Sequence, residues 1–600
     1  MKNLTNDNEL QKQVWDLSRL EKEFGSFKEY QKKSKKFLNQ LLKVKEKFPN
    51  LEKPELLKFF KQLDSLYTLQ ETVDVFAYLK VAQNCLDEDV SKFESAVSDW
   101  TSLIESELVF IDNKILKANK QVVKMLTNDP DFAFCAFYVK EIIANKEHYL
   151  STEQEMLLSE LYPSALLSWK KSFENSISKL EVQYSKTKKY SLDTVLGMLF
   201  SPKVEVRKKA SEAIGQTLDE ELSHRANAYE NVIKHHSVED KYRKFSRWDH
   251  SSAASNSIGL KTIDVVMKEI SGRIDLCHDW HKFLASKMGE EKLSWHNRVA
   301  PVVEYKEEYV SFSEAKEIII EAFNAVDEEF GINIKDFLDS NSIHAVSSKG
   351  KTTGAFCAGV VSQKFPYILL NWSGTTDDIL ALAHECGHAI HAIYSDGISS
   401  FHFDPPLVLA ETANEVSEMV VFDYLIEKAK NPKLKARILA KNITDQIITI
   451  FRQASYYQFE AEVHEYRKSI GEINASNLGE IWLKHTKEYY GKNVDVPDYS
   501  SNHWSYVPHF MSVGYVFSYS FGQLLTIALY GQYKKAKAEN KESEFLTKYK
   551  SMLKSAGSDW PKEIAQIANI DIESKKVWAD GLKTLEKMIE SAKETINSVT

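Results

Sequence analysis

The chain has 600 residues, of which 43% are hydrophobic and 27% charged, and a net charge of −9. Such a length buries a large core and usually divides into two or more lobes, while the acidic balance excludes the basic stripe that a nucleic-acid surface needs. Cys85, Cys135, Cys277, Cys357 and Cys386 are odd in number and lack paired spacing, which excludes a cysteine-based zinc knuckle and suits a reducing compartment.

Residues 1–9 lack the apolar stretch of a signal peptide, so a cytoplasmic protein is expected. The lysine-rich stretch 32–47 reads as the solvated face of a helix. Amphipathic helix is predicted around 59–77, 314–330 and 435–459. Glycine and proline are sparse, 21 and 13 in all, so long loops should be few. His235-His236 and Asp249-His250 have no partner motif and read as structural. Strand character gathers at 342–346 and 367–371, with the glycine-punctuated stretch 349–359 between them as a loop or hairpin. The Gly350-Lys351-Thr352 run has the wrong glycine spacing for a phosphate loop. A small sheet here has another use, because its edge strand can pair with an extended peptide.

After the strands comes a helix start. Thr375 or Thr376 is positioned to cap it, and Asp377 and Asp378 fall in the first turn, where the helix dipole favours acids. Ile379, Leu380, Leu382 and Ala383 pack this helix down. It then carries His384-Glu385-Cys386-Gly387-His388. Residues four apart share a helix face, so both imidazoles can address one point. A second helix, opened after Pro405-Pro406, begins with Glu411. Two imidazoles and a carboxylate form a three-ligand set with an open position, the layout of catalytic zinc. One Zn2+ per chain on His384, His388 and Glu411 is therefore expected. Glu385, beside the first ligand, is placed to take a proton from the attacking water. Cys386 turns away from the histidines and reads as packing, and His391 as packing or support for a ligand. Asn414, Glu415 and Glu418 share the face of Glu411. One of these acids is expected to receive the second ring N–H of a zinc-bound histidine, but spacing does not choose between them.

Residues 499–533 contain no Asp, Glu, Lys or Arg. Two histidines, a proline and many hydroxyls argue against a membrane span, and a buried helix lining a catalytic cleft is expected instead. The terminal stretch 573–600 reads as a charged helix.

Several of these stretches, in this order, resemble the zinc oligopeptidases typified by oligoendopeptidase F and thimet oligopeptidase. They are Trp15-Asp16-Leu17-Ser18, Gly354-Ala355-Phe356-Cys357, the 366–371 strand, the His384–His391 motif with Ala410-Glu411 and Glu418, and Trp504–Phe510 with Tyr515 and Tyr519. The resemblance implies a mainly α, two-lobed helical zinc-peptidase fold enclosing a deep substrate channel, with a small β-sheet beside the zinc-binding helices. It further implies a helical domain over 1–195 forming part of the channel wall and a catalytic domain over 196–600. Endopeptidase action on short, unfolded oligopeptides follows from the same likeness. So do catalytic roles for His509, Tyr515 and Tyr519 beside Glu385, and substrate contacts from Gly354, Ala355, Phe356, His509 and Tyr515. Phe517 departs from relatives that carry tyrosine there. The competing readings are a zinc carboxypeptidase of related helical fold and an inactive peptide-binding protein. The intact Glu385 and ligand set speak against the second.

Overall fold

The computed structural model describes residues 4, 6–306 and 308–600, apart from the side chains of 413–415. It is mainly helical, with three small sheets among the described residues. Two compact units each draw on three stretches of chain. The first comprises Met1–Leu157, Glu307–Lys428 and Gln532–Asp571, the second Leu158–Lys306, Ala429–Gly531 and Ile572–Thr600.

In the first unit, helix α1 (Lys53–Gln83) and helix α2 (Glu88–Leu108) pack together. Glu52 and Glu55 form a capping box at the start of α1, and the Asp87 carboxylate caps α2 by accepting from two backbone N–H groups. Leu56, Phe59, Phe60, Leu63 and Leu66 of α1 lie in one apolar cluster with Phe48, Phe110 and Phe132. Each such side chain contributes about 1.5–3 kcal/mol on burial. The helix expected over 314–330 is instead two, Phe312–Val326 and Glu328–Leu338. Asp327 takes an extended backbone between them and accepts from the Glu329 and Phe330 N–H groups, so a capping side chain overrides the continuous apolar period.

The sheet of this unit has three strands, β1 (Ile343–His344), β2 (Phe356–Ala358) and β3 (Tyr367–Leu369), in the order β1-β3-β2. β1 runs parallel to β3, and β2 antiparallel, with Cys357 opposite Ile368. β2 is thus an edge strand. From β3 the chain enters helix α3 (Thr376–Tyr394), and helix α4 (Leu407–Lys428) packs along it.

The second unit is built around Tyr229, Phe459, Trp504 and Phe510, whose rings stack or tilt against one another. Helix α5 (Gln453–Ser469) continues Pro432–Ile447 through a π-helical turn at Ile448–Arg452, so the helical reading of 435–459 holds. The terminal helix Lys575–Asn597 packs along Pro432–Ile447 and Leu260–Ser271, and its Trp578, Leu582, Leu585 and Ile589 are buried. The uncharged stretch differs from the single buried helix expected. It runs through 3-10 turns at Asp498–Tyr506 and Pro508–Met511 before helix α6 (Phe517–Ala538) begins. Pro508 cannot extend a preceding helix, and Gly514 sits at φ +70, where a Cβ would meet Ser252 at 2.9 Å. Among the described residues, no helix is long and apolar enough to cross a membrane.

Candidate active site

The first residues of α3 fix its position. Thr375, not Thr376, is the cap: its hydroxyl accepts from the Asp378 N–H, and the Asp378 carboxylate accepts from the Thr375 N–H at 2.8 Å. Ser373 donates twice more to that carboxylate, at 2.6 and 3.1 Å. Ile379, Leu382, Ala383, Cys386, Ala389 and Ile390 are buried, with Leu380 half-buried. This seating leaves His384 and His388 on one face, with ring centroids 5.4 Å apart and ring planes at 80°.

Glu411, on α4, meets them. One donor atom each from His384, His388 and Glu411 lies within 4.8 Å of the others, and His384 Nε2 is 3.5 Å from Glu411 Oε2. Zinc bonds of 2.0–2.2 Å in tetrahedral geometry place donors about 3.3–3.5 Å apart, so this pair already has the spacing a metal imposes. On the other side of the ring, His384 Nδ1 lies 3.2 Å from Glu418 Oε2. That orients the imidazole with Nε2 towards Glu411 and sets Glu418, one of the acids the sequence offers, at the second ring nitrogen. The side chains of Asn414 and Glu415 lie outside the described residues.

Burial pushes the His384 imidazole down, but hydrogen bonds to Glu411 and Glu418 outweigh it and hold its pKa well above the ordinary value. Burial and the charge of His384 push His388 down to about 3. The carboxylates around His384 therefore favour positive charge at this donor set.

Glu385 is only 5% exposed, and its Oε2 has no hydrogen-bond partner among the described residues. Burial, with added repulsion from Glu411 and Glu418, lifts its carboxyl to about 7 against the pull of His384. A buried, unpartnered carboxylate oxygen is costly, and it stands where a polar reactant beside the ligands would be received. The donor set and this oxygen together fit a catalytic metal.

Strand β2 packs on α3. Burial, and then the charges of Glu385 and Cys386, drive the Cys357 thiol well above its ordinary range, which places β2 beside the Glu385 carboxylate. Before β2, Gly354 (φ +83) and Ala355 are exposed and Phe356 half-buried. The Asn371 amide ties this loop to the strand end by donating to the Thr352 and Gly354 carbonyls at 2.9 and 3.0 Å. Sequence reasoning missed Lys351. Its ammonium donates to the carbonyls of His344, Val346 and Leu370, closing the end of the sheet, and burial pushes it down to about 7. Cys386 is buried and free, and the His391 ring is hydrogen-bonded to the Leu553 carbonyl.

The second unit brings His509, Tyr515 and Tyr519 into one cluster. Tyr519 Oη lies 3.2 Å from His509 Nε2 and 3.3 Å from Tyr515 Oη, and the His509 and Tyr515 rings stack at 10°. All three are half-buried, and burial lowers the His509 pKa. The turn at Gly514 sets this geometry. Its N–H donates to the buried Glu460 carboxylate at 3.3 Å, and its carbonyl accepts from Ser252 at 2.7 Å. Phe517, at the start of α6, is fully buried.

Residues 197–584 match the model of peptidase family M3, and residues 114–181 that of oligopeptidase F. The chain is 25% identical to an oligoendopeptidase F homolog of Borreliella burgdorferi over 98% of this chain and 100% of that protein. It is 22% identical to the oligopeptidase PepF of Bacillus subtilis over 93% of this chain and 84% of that one. The solved structure of oligoendopeptidase-F from Enterococcus faecium shares the fold, with a TM-score of 0.72, 22% identity and coverage of 95% of this chain and 99% of that one. A Chlamydophila abortus structure reaches 0.81 at 20% identity, covering 98% of both chains. The chain belongs to peptidase family M3 and is a metallo-oligopeptidase.

Proposed function

We propose that this enzyme is a zinc-dependent endopeptidase that cuts internal bonds of short, unfolded peptides in the cytoplasm. The observation that carries the reading is the convergence of His384, His388 and Glu411 donor atoms within 4.8 Å beside the unpartnered Glu385 oxygen. Those three residues would hold one zinc ion. Held there, the ion would supply Lewis acidity to polarise the scissile carbonyl and acidify the attacking water. Glu385 accepts the proton from that water as general base. Glu418 keeps the His384 ring in the orientation and tautomer a ligand needs. The edge of β2, with the backbone of Gly354, Ala355 and Phe356, pairs with the extended substrate. His509, Tyr515 and Tyr519 donate to the carbonyl oxygen as it gains charge, with His509 and Tyr515 also contacting the substrate. All these residues fall within 196–600, the stretch proposed as catalytic.

Peptides blocked at both termini test the reading, with products read by mass spectrometry after loading with zinc. Internal cleavage of a blocked peptide is expected, together with little attack on a stable folded protein. Release of single C-terminal residues from unblocked peptides only would instead establish a carboxypeptidase.

A further inference from the structure

The second unit contains a cavity of about 20 Å³, room for one water or one small ion. Its lining is mostly aromatic, with the hydroxyl side chains Ser455 and Thr486 and two guanidinium groups, Arg298 and Arg452. Arg298 lies over the Trp295 ring at 4.0 Å and donates to the Trp295 carbonyl at 2.8 Å. Arg452 lies over the Tyr456 ring at 5.2 Å and reaches Tyr506 Oη at 3.5 Å. Among the described residues neither makes an ion pair with a carboxylate. Two uncompensated cations in an apolar surround are unfavourable unless something negative joins them.

The uncharged groups point the same way. Trp295 Nε1, Trp482 Nε1, Tyr489 Oη and His503 Nε2 all belong to lining residues at most 7% exposed. Each is buried without a hydrogen-bond partner among the described residues. Indole N–H groups can only donate, so the cavity offers donors and positive charge to whatever it holds. Burial and the charges of Arg298 and Arg452 drive the His503 imidazole well below its usual range, so this ring stays neutral and adds no third charge.

We propose that this cavity is a binding site for a small monovalent anion of chloride size, held between Arg298 and Arg452. A water molecule could accept from the indoles but would leave both guanidinium charges uncompensated. A substrate carboxylate with its attached chain exceeds the space. The site lies apart in sequence from the proposed metal ligands and does not depend on their role.

Crystals of the full chain grown in bromide test the assignment through anomalous scattering. A bromide peak between the two guanidinium groups is expected. Electron density for water alone, with no anomalous signal there, overturns the proposal. In solution, chloride replacing gluconate at constant ionic strength should raise the Tm of the wild type saturably, as a ligand of the native state does. The saturable part should vanish in Arg298→Gln and Arg452→Gln. An equal rise in wild type and variants would mean a general salt effect and contradict the site. Should either variant fail to fold, the bromide crystals of the wild type decide.

Discussion

Replacing Glu418 isolates a residue that touches no substrate in the proposed mechanism yet sets the metal's affinity. Its carboxylate accepts from His384 Nδ1 at 3.2 Å, longer than the 2.7–2.9 Å of a strong charge-assisted bond, and its side chain is 33% exposed. Solvent therefore screens part of the interaction. Partners of this kind are worth about 10–100-fold in metal affinity, each tenfold being about 1.4 kcal/mol. Glu418→Gln keeps an acceptor and loses the charge, so zinc should bind about tenfold more weakly. Glu418→Ala also frees the ring to rotate, and the loss should approach about 100-fold. Competition with a chromophoric zinc chelator measures both, with the Tm of the metal-free proteins as a folding control. At saturating zinc, activity should largely return. If both variants hold zinc as the wild type does, the Glu418 contact plays no part in the metal site and the orientation assigned to His384 is wrong.

Three further outcomes are expected. Tyr515→Phe and Tyr519→Phe remove only hydroxyls, and at least one should lower kcat by about 10²–10³ with KM, zinc content and Tm little changed; full activity in both would make them core residues. Burial, with Asp404, Asp74 and Glu23 nearby, raises the Glu71 carboxyl from 4.5 to about 8, so the folded state holds its proton more tightly than the unfolded one and stability is lost as pH rises through that window. Glu71→Gln carries no such penalty, so its Tm relative to wild type should climb by several degrees between pH 5 and pH 8, and a gap independent of pH would refute the shift. Lys351→Met leaves three carbonyls without their donor, which should cost about 1–3 kcal/mol or more and raise KM through the loosened 352–358 loop; unchanged thermal and kinetic parameters would show the clamp to be idle.

The metal motif was legible because it is local. Helical spacing alone puts His384 and His388 on one face, and the Thr375–Asp378 box reads from four consecutive residues. Both main strands of the site's sheet were visible as short apolar runs, and β2 emerged from the end of the glycine-punctuated stretch. What stayed hidden depends on distant partners. Spacing does not single out Glu418, whose contact with His384 appears only in the fold. Lys351 sits in a run whose glycine spacing already excludes a phosphate loop, and its role shows only when three carbonyls are found around it; Glu460 becomes a support only when Gly514 folds onto it. The break at Asp327 and the turns at 498–516 were missed for a different reason. Apolar period and absence of charge describe burial, whereas a capping carboxylate, Pro508 and a left-handed glycine decide the backbone path.

The central claim is that Glu385 performs proton transfer beside a zinc ion it does not bind. Glu385→Gln tests it most directly, by elemental analysis and turnover of a blocked peptide on the same sample. The account predicts stoichiometric zinc, an unchanged Tm and a kcat lower by about 10²–10⁴. A variant that keeps its zinc and turns over at the wild-type rate would contradict it.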